Sequence, residues 1–188
     1  DGRDDIFQFT PSGNSYLWTS NGTSFTARGL IGTGFGAPDQ VRVGDANGDG
    51  PIDAWQFLTD GRGYLWPSNG SSSSPGFIYR GLKGTGFGGY QQIQLADIDG
   101  DADDDVFQMH NGSAYLWKSN GAADPTFPSG ATYVGTGFGF VDGVRFGDMN
   151  GDDRDDIFQF DPYGRGWRWL SSGSGFGTSL FLGNSVVP

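Results

Sequence analysis

The sequence predicts an all-β chain built as a β-propeller-like array of about four four-stranded repeats, and three observations carry that expectation. The chain repeats itself. GDANGDGPIDAWQF from Gly44, ADIDGDADDDVFQM from Ala96 and GDMNGDDRDDIFQF from Gly147 align without gaps, their first aspartates at 45, 97 and 148 lying 52 and 51 residues apart. The composition favours turns over helices: all 22 acidic residues are Asp, none is Glu, and 35 of 188 residues are Gly. Finally, IFQF, YLW and QVRV alternate with period two, and no window sustains a 3.6-residue apolar period.

Within a repeat, turn signals mark off four short strands. In the first these are 6–10, 15–19, 24–30 and 40–44, separated by PSGN, SNG and GTGFGAPD. The aromatic segment returns as SYLWTSNG at 15–22, GYLWPSNG at 63–70, AYLWKSNG at 114–121 and GWRWLSSG at 166–173. GTGFG follows at 32–36, 84–88 and 135–139, and a worn copy, GSGFG, arrives early at 173–177. The repeats therefore run approximately 1–44, 45–96, 97–147 and 148–188, within one domain. A four-stranded unit cannot bury both faces alone, so neighbours must stack on it; a β-solenoid would use shorter rungs.

Each complete acidic loop sets oxygen ligands at relative positions 1, 3, 5 and 9. These are Asp45, Asn47, Asp49 and Asp53; Asp97, Asp99, Asp101 and Asp105; and Asp148, Asn150, Asp152 and Asp156. Position 7, occupied by Pro51, Asp103 and Arg154, adds a backbone carbonyl. A hard divalent cation that takes six to eight oxygens suits this set, which points to about three Ca²⁺ per chain; zinc would ask for His or Cys, and magnesium for retained waters. The loop is not an EF-hand: position 12 is Gln56, Gln108 or Gln159, and strands flank it. Of the 22 Asp, 17 lie in these loops and in the opening DGRDDIFQF, a density that plain turns leave unexplained. Four carboxylates make the Asp97 loop the tightest expected site. Asp1, Arg3 and Asp5 form a partial set, expected to be a weak or empty fourth site.

FGAPDQVRVGDANGDGPIDAWQF at 35–57, with its FG, GAP-like and DxNxDxxxD elements, resembles the FG-GAP or VCBS-type repeat of integrin α-subunit propellers, propeller lectins and secreted bacterial proteins. The resemblance spans essentially the whole chain. It implies propeller blades in which the acidic loop joins the first two strands and holds calcium. Integrin propellers have seven blades, whereas about four repeats stand here, so the expectation is either a small four-bladed propeller or a segment of a longer array or assembled particle. Closure would draw on Val186-Val187 as a short strand; an open edge would instead pair with another subunit in a head-to-tail ring or filament.

Function is expected to be recognition, adhesion or assembly rather than catalysis. His110 is the sole His, Cys and Glu are missing, and the carboxylates are committed to metal. A net charge of −11 with scattered Lys and Arg excludes a phosphate-backbone partner, and no apolar run suits membrane insertion. Trp18, Trp66, Trp117 and Trp169 are candidates for stacking on a glycan, although their recurrence in every repeat suits an inter-blade core better. The expected partners are a glycan, a protein ligand or a second copy. Calcium loops fill at millimolar extracellular calcium, which implies a secreted or cell-surface setting.

Overall fold

A computed structural model describes residues 3–127, 130–139 and 141–184. The chain is all-β and forms the blades of a four-bladed β-propeller. β1 (Ile6–Phe9), β2 (Asn14–Ser20) and β3 (Phe25–Thr33) make the first blade; β4 (Val41–Gly44), β5 (Asp53–Phe57), β6 (Gly63–Trp66) and β7 (Gly81–Gly84) the second. β8 (Ile93–Ala96), β9 (Asp105–His110), β10 (Ser113–Trp117) and β11 (Thr132–Thr136) make the third, and β12 (Val144–Gly147), β13 (Asp156–Phe160), β14 (Arg165–Trp169) and β15 (Leu180–Asn184) the fourth. All pairings are antiparallel between sequential strands, as short turns require. The only helical segments among the described residues are single 3₁₀ turns at Pro38–Gln40, Tyr90–Gln92 and Val141–Gly143, each placed just before the first strand of a blade.

Blades and sequence repeats are out of phase. The segment 40–44, expected as the fourth strand of the first repeat, pairs with Asp53–Phe57 and opens the second blade. The GTGFG segments are thus the crossings between blades. The first blade has three strands among the described residues, and the Val186-Val187 segment expected to complete it lies outside them.

The glycines and aromatics of the crossings explain the stacking. Phe35, Phe87 and Phe138 are buried, and each meets the Trp of the following blade, with centroids 4.7 Å apart for Phe35–Trp66, 5.2 Å for Phe87–Trp117 and 5.4 Å for Phe138–Trp169. Tilted rings at this spacing add to area burial. Glycine makes room for them: a Cβ at Gly84 would lie 2.7 Å from the Phe87 ring. Residues of one strand serve both neighbours, since Ala54 belongs to the first junction while Trp55 and Phe57 belong to the second. The worn GSGFG is not a shifted GTGFG. Its Phe176 bridges to Ser171 as Phe77 bridges to Ser68, so it fills the place of Phe77.

Replacing Phe87 by Ala empties the middle of the second junction. Urea unfolding should show a loss of about 3–5 kcal/mol, whereas a loss under about 1 kcal/mol would mean that the crossings do not hold the blades together.

Candidate functional site

The acidic loops join the first strand of a blade to the second, at one end of three consecutive blades. Their curl is set by left-handed backbone at relative positions 4 and 6: Gly48 and Gly50 have φ of 67° and 91°, Gly100 and Ala102 78° and 73°, Gly151 and Asp153 79° and 64°. Ala102 and Asp153 tolerate a conformation that glycine adopts freely. The first Asp gathers the turn. Asp45 Oδ2 accepts from Gly50 N at 2.7 Å, Asp97 Oδ1 from Gly100 N at 2.7 Å and Oδ2 from Ala102 N at 2.9 Å, and Asp148 Oδ1 from Gly151 N at 2.7 Å. Asn47 Nδ2 and Asn150 Nδ2 donate to Asp49 and Asp152, both at 3.1 Å. Positions 1, 3 and 5 are therefore drawn towards one another before any ion is considered.

The aspartate at position 9 has a second role that sequence reasoning missed. In every blade one of its oxygens accepts from the backbone N–H of the SNG or SSG serine: Asp5 from Ser20 at 2.8 Å, Asp53 from Ser68 at 2.7 Å, Asp105 from Ser119 at 2.8 Å and Asp156 from Ser171 at 2.7 Å. Asp53 and Asp156 use the other oxygen on Ala46 N and Met149 N, at 3.1 Å each, closing the loop onto the strand. The sequence carries this as a fixed interval: 15 residues in three blades and 14 in the third.

The loops are also bonded across blades. Ser119 Oγ donates to Ala46 O at 3.1 Å and Ser171 Oγ to Ile98 O at 2.6 Å, while Asp104 N and Asp155 N donate to Asp45 O and Asp97 O at 2.6 and 2.7 Å. Position 12, which sets the loop apart from an EF-hand, supports the crossing instead. Gln56 and Gln108 brace Gln40 and Gln92 at 3.0 and 2.9 Å, and a Cβ at Gly36 would stand 2.0 Å from Gln56 Nε2.

Burial makes the charges costly. It pushes the carboxyl of Asp53 up to about 6, of Asp104 to about 7 and of Asp105 to about 8, with neighbouring aspartates adding to the shift. Burial raises Asp97 and Asp101 too. Two basic residues answer part of this charge: Lys118 Nζ lies 2.5 Å from Asp99 Oδ2, and Arg154 pairs with Asp152. Among the described residues, carboxylates converge to within 4.8 Å in the third blade alone, as Asp97, Asp99 and Asp101, and as Asp99, Asp103 and Asp105.

Asp1 of the partial set lies outside the described residues, and Asp5 sits on Ser20 N. Trp66, Trp117 and Trp169 are buried in the three junctions, where no glycan can stack on them; Trp18 is half-buried on the outer face of the first blade. A cleft of about 900 Å³ opens instead between blades one and two, with Phe7, Leu17, Ile31 and Phe77 among its apolar lining and Asn21, Arg28 and Ser68 among its polar groups. Arg28 Nε is steered by a 2.9 Å bond to Thr19 Oγ1. No sequence motif announces this cleft, because it arises from the packing of two blades.

No known protein family and no curated protein matches the chain. Among solved structures, the chain is similar to a lectin of Agrocybe aegerita described as recognising non-reducing terminal N-acetylglucosamine, with a TM-score of 0.70 and 22% identity over 96% of this chain. It is also similar to part of the Photorhabdus luminescens Tc holotoxin pore, with a TM-score of 0.61 and 15% identity over 94% of this chain. The chain spans 49% of the lectin and 9% of the toxin chain. At these identities the likeness is one of fold.

Asp53, Asp104 and Asp105 have folded values above the ordinary carboxylate value of 3.8, so their protonated forms favour the folded state. In a metal chelator, the melting temperature should be highest near pH 4 and fall as pH rises through about 6 to 8. A melting temperature that rises over the same interval would show that these carboxylates are not strained when ionised.

Proposed function

We propose that the chain is a calcium-stapled propeller module of a secreted or cell-surface protein, that it binds carbohydrate, and that it does no chemistry on its ligand. What carries the reading is the row of acidic loops, bonded blade to blade through buried carboxylates whose charge the chain's own cations only partly offset. Calcium would be held by Asp45, Asn47 and Asp49, by Asp97, Asp99 and Asp101, and by Asp148, Asn150 and Asp152, with the position 9 carboxylates and position 7 carbonyls completing each set. The donor set is all oxygen, which fits a hard cation. The orphaned buried oxygens of Asp99, Asp103 and Asp105 support the same view.

Recognition is assigned to the cleft between blades one and two. An apolar floor beside amide, hydroxyl and guanidinium groups suits a saccharide, whose ring faces are apolar and whose hydroxyls need both donors and acceptors. The likeness to a lectin fold supports this choice of ligand class. His110 is exposed and bonded to Asn111, away from the loops, which fits a module that does no chemistry.

Metal analysis after exhaustive dialysis into calcium should find at least three ions per chain, one for each complete acidic loop. Calorimetry with an N-acetylglucosamine-terminated oligosaccharide should then show binding that Arg28→Ala weakens about tenfold, as expected for a lost charged hydrogen bond. Lack of binding to any glycan of a broad array would rule out the lectin reading and leave the metal reading standing.

A second reading, assembly with further copies, is favoured by the outer blade faces. Ile6 pairs with Trp18 as Ala54 pairs with Trp66, yet Ile6 is 44% exposed; Phe160, at the place of buried Phe57 and Met109, is 50% exposed. These are the residue positions that stacked blades bury, so face-to-face stacking fits better than strand pairing. Light scattering should show mass rising with concentration in calcium, and Phe160→Asp should abolish the rise; a monomer at every concentration would remove this reading.

A further inference from the structure

The third blade's loop differs from the other two in a way that a single bound ion does not explain. Position 7 is Asp103, where the second blade has Pro51 and the fourth has Arg154. Its side chain is turned inward: the residue is 1% exposed, and neither carboxylate oxygen has a hydrogen-bond partner within the chain. Asp105, fully buried, likewise leaves Oδ2 unpartnered, although its counterparts Asp53 and Asp156 place that oxygen on a backbone amide. Asp99 Oδ1 is buried and unpartnered as well. A buried carboxylate oxygen without a partner is strongly disfavoured unless a cation or a donor answers it.

The three residues point at one another. Ligand oxygens of Asp99, Asp103 and Asp105 lie within 4.8 Å of one another, and so, separately, do those of Asp97, Asp99 and Asp101. Asp99 belongs to both groups. We infer that the third blade holds two divalent cations of the calcium class, the outer one on Asp97, Asp99 and Asp101 and a second, deeper one on Asp99, Asp103 and Asp105, with the Asp99 carboxylate shared between them. The inference rests on the calcium reading of the loops and extends it from one ion to two in this blade.

Charge supports the count. Deprotonated, as metal ligands must be, the five carboxylates at odd positions from 97 to 105 carry five negative charges, and Lys118, 2.5 Å from Asp99, returns one positive charge. One divalent ion leaves the cluster at −2, whereas two bring it to neutrality. The fourth blade reaches the same balance with one ion, because Asp148, Asp152 and Asp156 are offset by Arg154 at position 7. Asp103 is seated against Gly121, where a Cβ would stand 2.9 Å from Asp103 Oδ2, so a glycine at 121 is what makes room for the inward carboxylate.

The test is an ion count with a location. Crystals of the intact protein grown in calcium should give two anomalous difference peaks around Asp99 and one in each of the loops at Asp45 and Asp148. Native mass spectrometry should then show Asp103→Asn with one ion fewer than wild type, and Asp60→Asn, an exposed turn residue paired with Arg62 and outside every acidic loop, with the wild-type ion count. A single peak at the third loop, beside single peaks at the other two, would overturn the two-ion site while leaving the calcium reading intact. No peak in any loop would overturn the calcium reading itself. The crystallographic arm uses wild-type protein, so it decides the matter even where Asp103→Asn does not fold.

Discussion

A carboxylate out of reach of water must be protonated, hydrogen-bonded or paired with a cation, and each complete blade of this protein is closed by such a group. Asp53, Asp105 and Asp156 are fully buried, and each ties the strand that follows the acidic loop to the serine after the next strand. Removing that carboxylate would free the serine amide in a buried place, where an unpartnered donor costs about 1–3 kcal/mol. The hydroxyls of Ser119 and Ser171 then reach the preceding blade's loop, so loop conformation and blade stacking become one problem. Whatever neutralises the loops therefore acts on the whole array, and the affinity of a metal bound there would become folding free energy.

The stacking side of the problem is solved by aromatics inserted through glycine-rich crossings. Phe35, Phe87 and Phe138 each leave one blade and dock on the tryptophan of the next, while the adjoining glycines let ring and backbone approach. This arrangement accounts for a composition rich in both Gly and Phe. It also limits where a ligand could go: the tryptophans of blades two to four are consumed by the junctions, and the open space is the cleft at blades one and two, lined by Phe7, Phe77 and Arg28 among others.

Much of this is legible in the sequence. Period-two alternation and the 52- and 51-residue spacing indicate the strands, their number and their stacking, because those features are local or repeat faithfully. Blade phase is not legible: nothing in QVRVG says whether it pairs backward with 24–30 or forward with DAWQF, and the pairing is a tertiary choice. Spacing alone, by setting oxygen-bearing side chains at alternate positions, anticipates that positions 1, 3 and 5 come together. It cannot reveal the Asp–Ser bond, whose partners sit 14 or 15 residues apart. The place of Asp103 in the pattern marks it only as a carbonyl donor. Its buried side chain depends on how two blades press together, and that is information no single repeat contains.

If cations at the acidic loops stabilise the stacked blades, thermal unfolding near pH 7.5 must differ between millimolar calcium and excess chelator. An ion held at about a hundred times its dissociation constant contributes about 2.7 kcal/mol, and 1 kcal/mol moves the melting temperature of a domain this size by about 2–4 °C. Three or four such ions should give one cooperative transition that calcium raises by more than about 10 °C. Identical melting in calcium and in chelator, with no ion retained, would mean that the loops close and the blades stack without a cation.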